Sequence, residues 1–172
     1  MLDWLDPEDA KEHIYESLFQ SEFKFQANND NLVLNGKKSN LQILSVSTNK
    51  NGLQASVVSG QTDPLKRGWI YKIEEEKNTP ISTGVINQKS KGKTVQAYFI
   101  IPGENNASVK YQVKMISVDG GIGANLTSSN GISLSFIAQQ KAGKVISGAG
   151  LTTSGRVKVQ IDGKGEKFEV LE

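Results

Sequence analysis

Leu18-Phe19-Gln20-Ser21-Glu22-Phe23-Lys24-Phe25-Gln26 is the stretch that decides how this chain folds. Phe19, Ser21, Phe23 and Phe25 alternate with Gln20, Glu22, Lys24 and Gln26. Successive side chains of an extended strand point to opposite faces, so this is the pattern of a half-buried β-strand. It predicts that Phe19, Phe23 and Phe25 share one buried face.

Working outward, the same period recurs. Leu32-Val33-Leu34 precedes an Asn35-Gly36 turn, and Leu41 to Val46 and Leu53 to Val58 read as a hairpin around Asn49-Lys50-Asn51-Gly52. Asn and Gly accept the positive φ that tight hairpin turns require. Gly68 to Ile73, Ile81 to Ile86 and Thr94 to Ile101 read as further strands, the last stopped by Pro102-Gly103. Val109, Tyr111, Val113 and Met115 alternate again. Ile132 to Ile137 and Lys144 to Ile146 are shorter, and Arg156 to Ile161 with Glu166 to Leu171 form a closing hairpin. Asp119 to Gly131 reads as a long, mobile, glycine-rich loop. The one helix start is Asp6-Pro7-Glu8-Asp9, with Asp as N-cap and Pro at the first helical position. Short strands at regular spacing, without an internal repeat, predict an all-β fold: a single antiparallel sandwich of two packed sheets over residues 1–172, with at most one very short helix.

The composition narrows the function. Twenty Lys and Arg against 18 Asp and Glu leave a net charge of +2, which does not make the concentrated basic face of a nucleic-acid binder. No apolar run approaches the ~20 residues of a membrane helix, and Met1-Leu2-Asp3-Trp4 does not open a signal peptide. There is no cysteine and one histidine, so disulfides and Cys-based zinc sites are excluded. Met1 and Leu171-Glu172 read as residues added in cloning to an internal fragment.

His13 beside Glu12 reads as a surface histidine, because no Gly-x-Ser-x-Gly elbow offers it a nucleophile. Gly120-Gly121-Ile122-Gly123 lacks the Lys-Ser/Thr pair and following helix of a phosphate loop and reads as a turn. Glu74-Glu75-Glu76 lacks a calcium-loop spacing and reads as a solvated strand end. Lys66, Arg67, Lys89, Lys91 and Lys93 offer cations to an acidic polymer, or simply solvate loops and guard a sheet edge. Trp69 and Tyr71, two apart on one strand, offer aromatic faces to a sugar ring, or pack structurally. Trp69, Tyr71, Lys66 and Arg67 are therefore the candidate glycan contacts. No residue is assigned a catalytic or metal-binding role, and no cofactor is expected.

Two stretches carry a family resemblance. Leu2-Asp3-Trp4-Leu5 with His13-Ile14-Tyr15-Glu16-Ser17-Leu18-Phe19-Gln20 is one. Gly60-Gln61-Thr62-Asp63-Pro64-Leu65-Lys66-Arg67-Gly68-Trp69, followed by Pro80, is the other. With Tyr98-Phe99-Ile100-Ile101-Pro102-Gly103, they resemble the C-terminal β-sandwich domain of bacterial heparinase II/III-like polysaccharide lyases, over about Leu2 to Gly103. The chain departs from that pattern where Gln20 stands in place of a second histidine, and where Ile70 to Glu75 replaces the stretch that follows Gly-Trp. The resemblance implies a non-catalytic domain supporting an α/α-toroid of the parent chain that cleaves acidic polysaccharide, such as a glycosaminoglycan, by β-elimination. It implies a secreted, periplasmic or cell-surface protein, with acidic polysaccharide as a partner and neither nucleic acid nor membrane. Two other readings stand beside it: a stand-alone carbohydrate-binding module, and a phage or surface structural β-sandwich protein. On any of them this chain alone is expected to lack lyase activity.

Overall fold

Residues 12–28 show how the chain builds a sandwich. The computed structural model describes residues 1–49, 52–104 and 110–162, and the backbone of 166–170. The phenylalanine run is not one strand. β2 (Glu12–Ser21) ends at Ser21, and β3 (Phe25–Asn28) begins in a different sheet. Ser21 Oγ accepts the Phe23 N–H (3.1 Å) and Ser82 Oγ accepts the Phe25 N–H (2.9 Å), which fixes the bend between them. Phe25 is buried and Phe19 packs against the same core, whereas Phe23 is 54% exposed on the bend. The expected common face of three phenylalanines thus holds for two, because the chain changes sheets between them.

The chain is all-β and antiparallel, and among the described residues helix is confined to 3-10 geometry, as at Ile73–Glu75. It divides into two compact units, Met1–Ala107 and Ser108–Glu172, where the strand pattern alone predicts a single domain over 1–172. The first unit also contains β1 (Leu2–Leu5), β4 (Asn31–Asn35), β5 (Ser39–Ser47), β6 (Leu53–Val58), β7 (Trp69–Lys72), β8 (Lys77–Pro80), β9 (Ser82–Lys91) and β10 (Thr94–Glu104). One sheet has the order β1-β10-β5-β4-β3, the other β2-β9-β6, and β7–β8 is a separate ribbon. The two sheets meet face to face through Phe25, Leu32, Leu34, Ile43 and Tyr98 from the first and Ile86 from the second, with Phe19, Leu53 and Ala55 packed against them. Each large aliphatic buried this fully contributes about 1.5–3 kcal/mol. Gly84 has no side chain because a Cβ there would lie 2.4 Å from Leu32 Cδ1.

Four local expectations are corrected. The Asp6–Asp9 segment forms no helix; it is a bend that carries the chain from β1 in one sheet to β2 in the other. β5 and β6 are not a hairpin: β5 is already bonded by β10 and β4, so β6 pairs with β9 in the opposite sheet. Of the residues that join them, 50 and 51 lie outside the described residues. Pro102 does not stop its strand, which runs on to Glu104. β1 pairs with β10 only as far as Ala97, so at Pro102 that side of β10 is an edge, where a missing N–H costs no ladder bond.

The fourth correction lies in the second unit. It contains β11 (Tyr111–Ile116), β12 (Ile122–Ser128), β13 (Ser133–Ala138), β14 (Ile146–Gly148), β15 (Leu151–Thr153), β16 (Val157–Asp162) and β17 (Glu166–Val170). The sheet order is β11-β12-β13-β16-β17, with β14–β15 a separate ribbon. The glycine-rich stretch read as a mobile loop is largely β12, paired on both sides, with Ile122, Ala124 and Leu126 buried. Gly123 serves close approach: a Cβ there would lie 2.8 Å from Val118 Cγ2 and 3.1 Å from the Phe136 carbonyl. Val118, Ile137, Ile146 and Leu151 form the core. Tyr111 and Val113 share the more covered face of β11, and the closing hairpin of β16 and β17 is present. Val109 lies outside the described residues.

Candidate functional site

The candidate residues Lys66, Arg67, Trp69 and Tyr71 sit on and beside the first unit's outer surface, and the sheet register explains where each goes. On β2 the odd residues from His13 to Phe19 face inward, while Glu12, Ile14, Glu16, Leu18 and Gln20 face outward. Leu18 pairs with Val85 and Ser56 pairs with Val85 from the other side, so Val85 also faces outward, yet it is buried. The segment after β6 leads to the candidate residues. Arg67, where this segment returns to its neck, forms an ion pair with Glu16 on β2, the opposite edge strand, so its side chain ties the neck to the far strand of the sheet. The two side chains keep 19% and 27% of their exposure, which makes this a partly buried tie and not a free cation. Gln61 and Arg67 exchange backbone bonds of 2.9 and 3.0 Å at the neck of the loop, and the Asp63–Pro64 bond within it is cis.

Trp69 opens β7 opposite Pro80 and is half-buried, its indole N–H donating to the Gln61 carbonyl at 2.8 Å. Gly60 holds φ +63 beneath it, and a Cβ there would lie 3.5 Å from Trp69 Cζ2 and 3.3 Å from Pro80 Cβ. Trp69 therefore locks the loop neck to the ribbon. Tyr71 is 57% exposed and Lys66 is exposed. A shallow groove beside the ribbon is lined by Glu22, Lys24, Val57, Ile70 and Lys72, and neither Trp69 nor Tyr71 lines it.

Of the remaining basic residues, Lys89 and Lys91 share the outward phase of β9, opposite Ile14 and Glu12. Lys89 pairs with Glu12 at 2.8 Å and Lys93 with Asp6 at 2.8 Å. Glu75 accepts Lys77 at 2.6 Å and Lys72 at 3.3 Å, and those bonds hold its carboxyl below the usual range. The Glu74–Glu76 run is thus a 3-10 turn fastened by lysines, closed by Glu76 at φ 48. Among the described residues no group of three His, Cys, Asp or Glu side chains is arranged to hold a metal. No helix among them is long and apolar enough to cross a membrane.

His13 lies at the mouth of a second hollow with Trp4, Leu5, Asp6, Pro7, Glu8, Asp9 and Tyr15. Its Nε2 meets Asp9 Oδ1 at 2.6 Å, and the ring lies 6.0 Å from that of Tyr15. The bonds from His13 and from the Lys11 N–H keep the Asp9 carboxyl below its ordinary value. This pair closes the β1–β2 bend.

Sequence reading missed the polar row behind His13. Ser17, Tyr98 and Gln96 form a bridge between the sheets: the Tyr98 hydroxyl donates to Gln96 Oε1 at 2.5 Å, which leaves Ser17 Oγ, 2.6 Å away, to donate to Tyr98. Burial raises the Tyr98 phenol above its ordinary value, against the pull of the Ser17 bond. The Tyr15 hydroxyl, Gln88 Oε1 and Gln96 Nε2 are buried without a partner among the described residues. The signal was present, since His13, Tyr15 and Ser17 keep the inward phase of Phe19. No protein-family model, curated protein or solved structure matches the chain.

Proposed function

We propose that this chain is a non-catalytic structural β-module, which acts through the faces and edges of its sheets. The observation that carries the reading is the tie of Arg67 to Glu16. The residue best suited to grip an acidic polymer instead fastens a loop across the sheet. The indole N–H of Trp69 is turned to the same task. In the form that the resemblance implies, the module supports a toroid that cleaves acidic polysaccharide by β-elimination, outside the cytoplasm. Two placements support that form: His13-Ile14-Tyr15-Glu16 lies on one strand, and Gly68 leads into β7 with Pro80 opposite Trp69. A glycan-binding module is the second reading, favoured by the exposure of Tyr71.

β-Elimination next to a uronate needs a positioned base and donors where negative charge grows. The test is ultraviolet absorbance of new unsaturated uronic-acid ends, with heparan sulfate, chondroitin sulfate, hyaluronan and alginate offered in turn to the purified chain. The expected result is no turnover. Sustained turnover that survives His13→Ala and repeated purification would overturn the reading. Saturable binding of one of these polymers, lost in Tyr71→Ala, would replace it with the second. Codons for a helical toroid immediately upstream are expected if the module belongs to a lyase.

A further inference from the structure

β2 is an edge strand of ten residues, and nothing among the described residues pairs with its free side. A long edge offers unpaired N–H and C=O groups to another strand, and proteins usually guard such edges with lysine, proline, a bulge or a cover. Four other edges of the described sheets show those guards. β6 is partly covered, because its Ala55 N–H is bonded to the Asn29 carbonyl at 2.7 Å. β11 carries exposed Lys114, while β1 and β3 have four residues each. β2 contains neither lysine nor proline. Its outward face shows Ile14 and Leu18, exposed by 65% and 52%. The outward acids between and beside them are already neutralised within the unit, Glu16 by Arg67 and Glu12 by Lys89.

We propose that the free edge of β2 docks the β2 edge of a second copy of this chain, antiparallel and centred on Glu16. The sequence of the strand selects this occupant and register. In an isologous antiparallel pair each residue faces a partner whose number makes a constant sum with its own. Only even sums keep outward side chains with outward ones and free backbone groups with free ones. A sum of 32 sets Ile14 against Leu18 of the second copy, twice over, with Glu12 against Gln20. A sum of 30 sets Ile14 against Glu16, and a sum of 34 sets it against Gln20. The single like-charge contact, Glu16 with Glu16, carries an Arg67 on each side. Pairing would turn two three-stranded sheets into one six-stranded sheet, whether or not the chain belongs to a lyase.

Sedimentation of the full chain across a concentration series is expected to show a monomer–dimer equilibrium, shifted to monomer by Ile14→Lys/Leu18→Lys with unchanged circular dichroism. A wild-type chain that stays monomeric up to its solubility limit overturns the proposal, as does a dimer that the lysines leave intact. Should the double variant fail to fold, cysteine pairs decide instead, because the chain has no cysteine of its own. Ile14→Cys mixed with Leu18→Cys is expected to give an intermolecular disulfide, since directly opposed Cα atoms lie about 4.5–5.5 Å apart, within bridging range. Ile14→Cys alone is expected to give none, because the two copies of residue 14 would stand four residues, roughly 13 Å, apart. Cross-linking of Ile14→Cys to itself as fast as to Leu18→Cys overturns the register.

Discussion

Within the first unit the same two sheets meet in two different chemistries. Toward one end, Phe25, Leu32, Leu34, Ile43 and Ile86 form a hydrophobic cluster. Toward the other, Tyr15, Gln88, Ser90, Ser47, Thr94 and Gln96 face inward, joined in part by bonds such as Ser47 Oγ to Thr94 Oγ1 at 3.2 Å. Tyr98 stands at the seam, its ring against Phe19 at 5.6 Å and its hydroxyl in the Ser17–Gln96 bridge. The apolar end gains from area removed from water, whatever the exact partners. The polar end stabilises only as far as each buried group finds a partner, and several atoms have none among the described residues. Stability is therefore expected to be concentrated at one end of a sandwich whose backbone looks uniform.

The largest test of that contrast is Leu32→Ala. It removes a fully buried side chain wedged against Gly84, and urea denaturation is expected to show a loss of about 2–5 kcal/mol. A loss under ~1 kcal/mol would mean that the apolar end is not the main support.

Tyr98→Phe probes the seam. It keeps the ring and removes the hydroxyl that joins Ser17 to Gln96, so a smaller loss of about 1–3 kcal/mol is expected. The pH dependence has a definite sign. Burial raises the Tyr98 phenol, so folding favours its neutral form. That contribution is whole below the ordinary phenol value near pH 10 and is lost as pH climbs through the raised folded value. Denaturation followed through the alkaline range should therefore fall more steeply for wild type than for Tyr98→Phe, and parallel curves would place the phenol elsewhere.

The smallest expected effect is a gain. Thr83 is fully buried and its hydroxyl has no partner among the described residues. Thr83→Val keeps the shape and removes an orphaned polar group, so the denaturation midpoint is expected to rise, by about 1 kcal/mol of stability. A fall would show that the hydroxyl is bonded, through water for instance, and that polar burial here is better satisfied than the contrast implies.

How much of this was legible in the sequence follows from what a local pattern can encode. Alternation identifies strands and their inward residues, and it did so for Phe19 and Phe25, for Tyr111 and Val113, and for the closing hairpin. It does not encode which strand is the neighbour. β5 and β6 look like a hairpin until the prior claims of β10 and β4 on β5 are known, and Phe23 looks buried until the chain changes sheets beside it. Glycine richness was read as freedom at Gly120 to Gly131, where close approach between strands is the reason for Gly123. At the candidate site Trp69 and Arg67 were identifiable as residues, but Gln61 and Glu16, which fix their roles, are brought to them by the fold. Charges such as Lys89 and Lys93 could be counted but not paired, since their carboxylates lie about 80 residues away in sequence.

The central claim, that Trp69 and Arg67 hold the first unit together and do not grip a ligand, is tested most directly at Trp69. Chemical denaturation and titration with heparan sulfate are carried out on the same samples of wild type and Trp69→Ala. Trp69 is half-buried with its N–H bonded to Gln61, so a loss of about 2–3 kcal/mol is expected, below the ~3–5 kcal/mol of a fully buried aromatic, with no saturable binding by either protein. Unchanged stability, together with saturable binding by wild type that Trp69→Ala abolishes, would contradict the account.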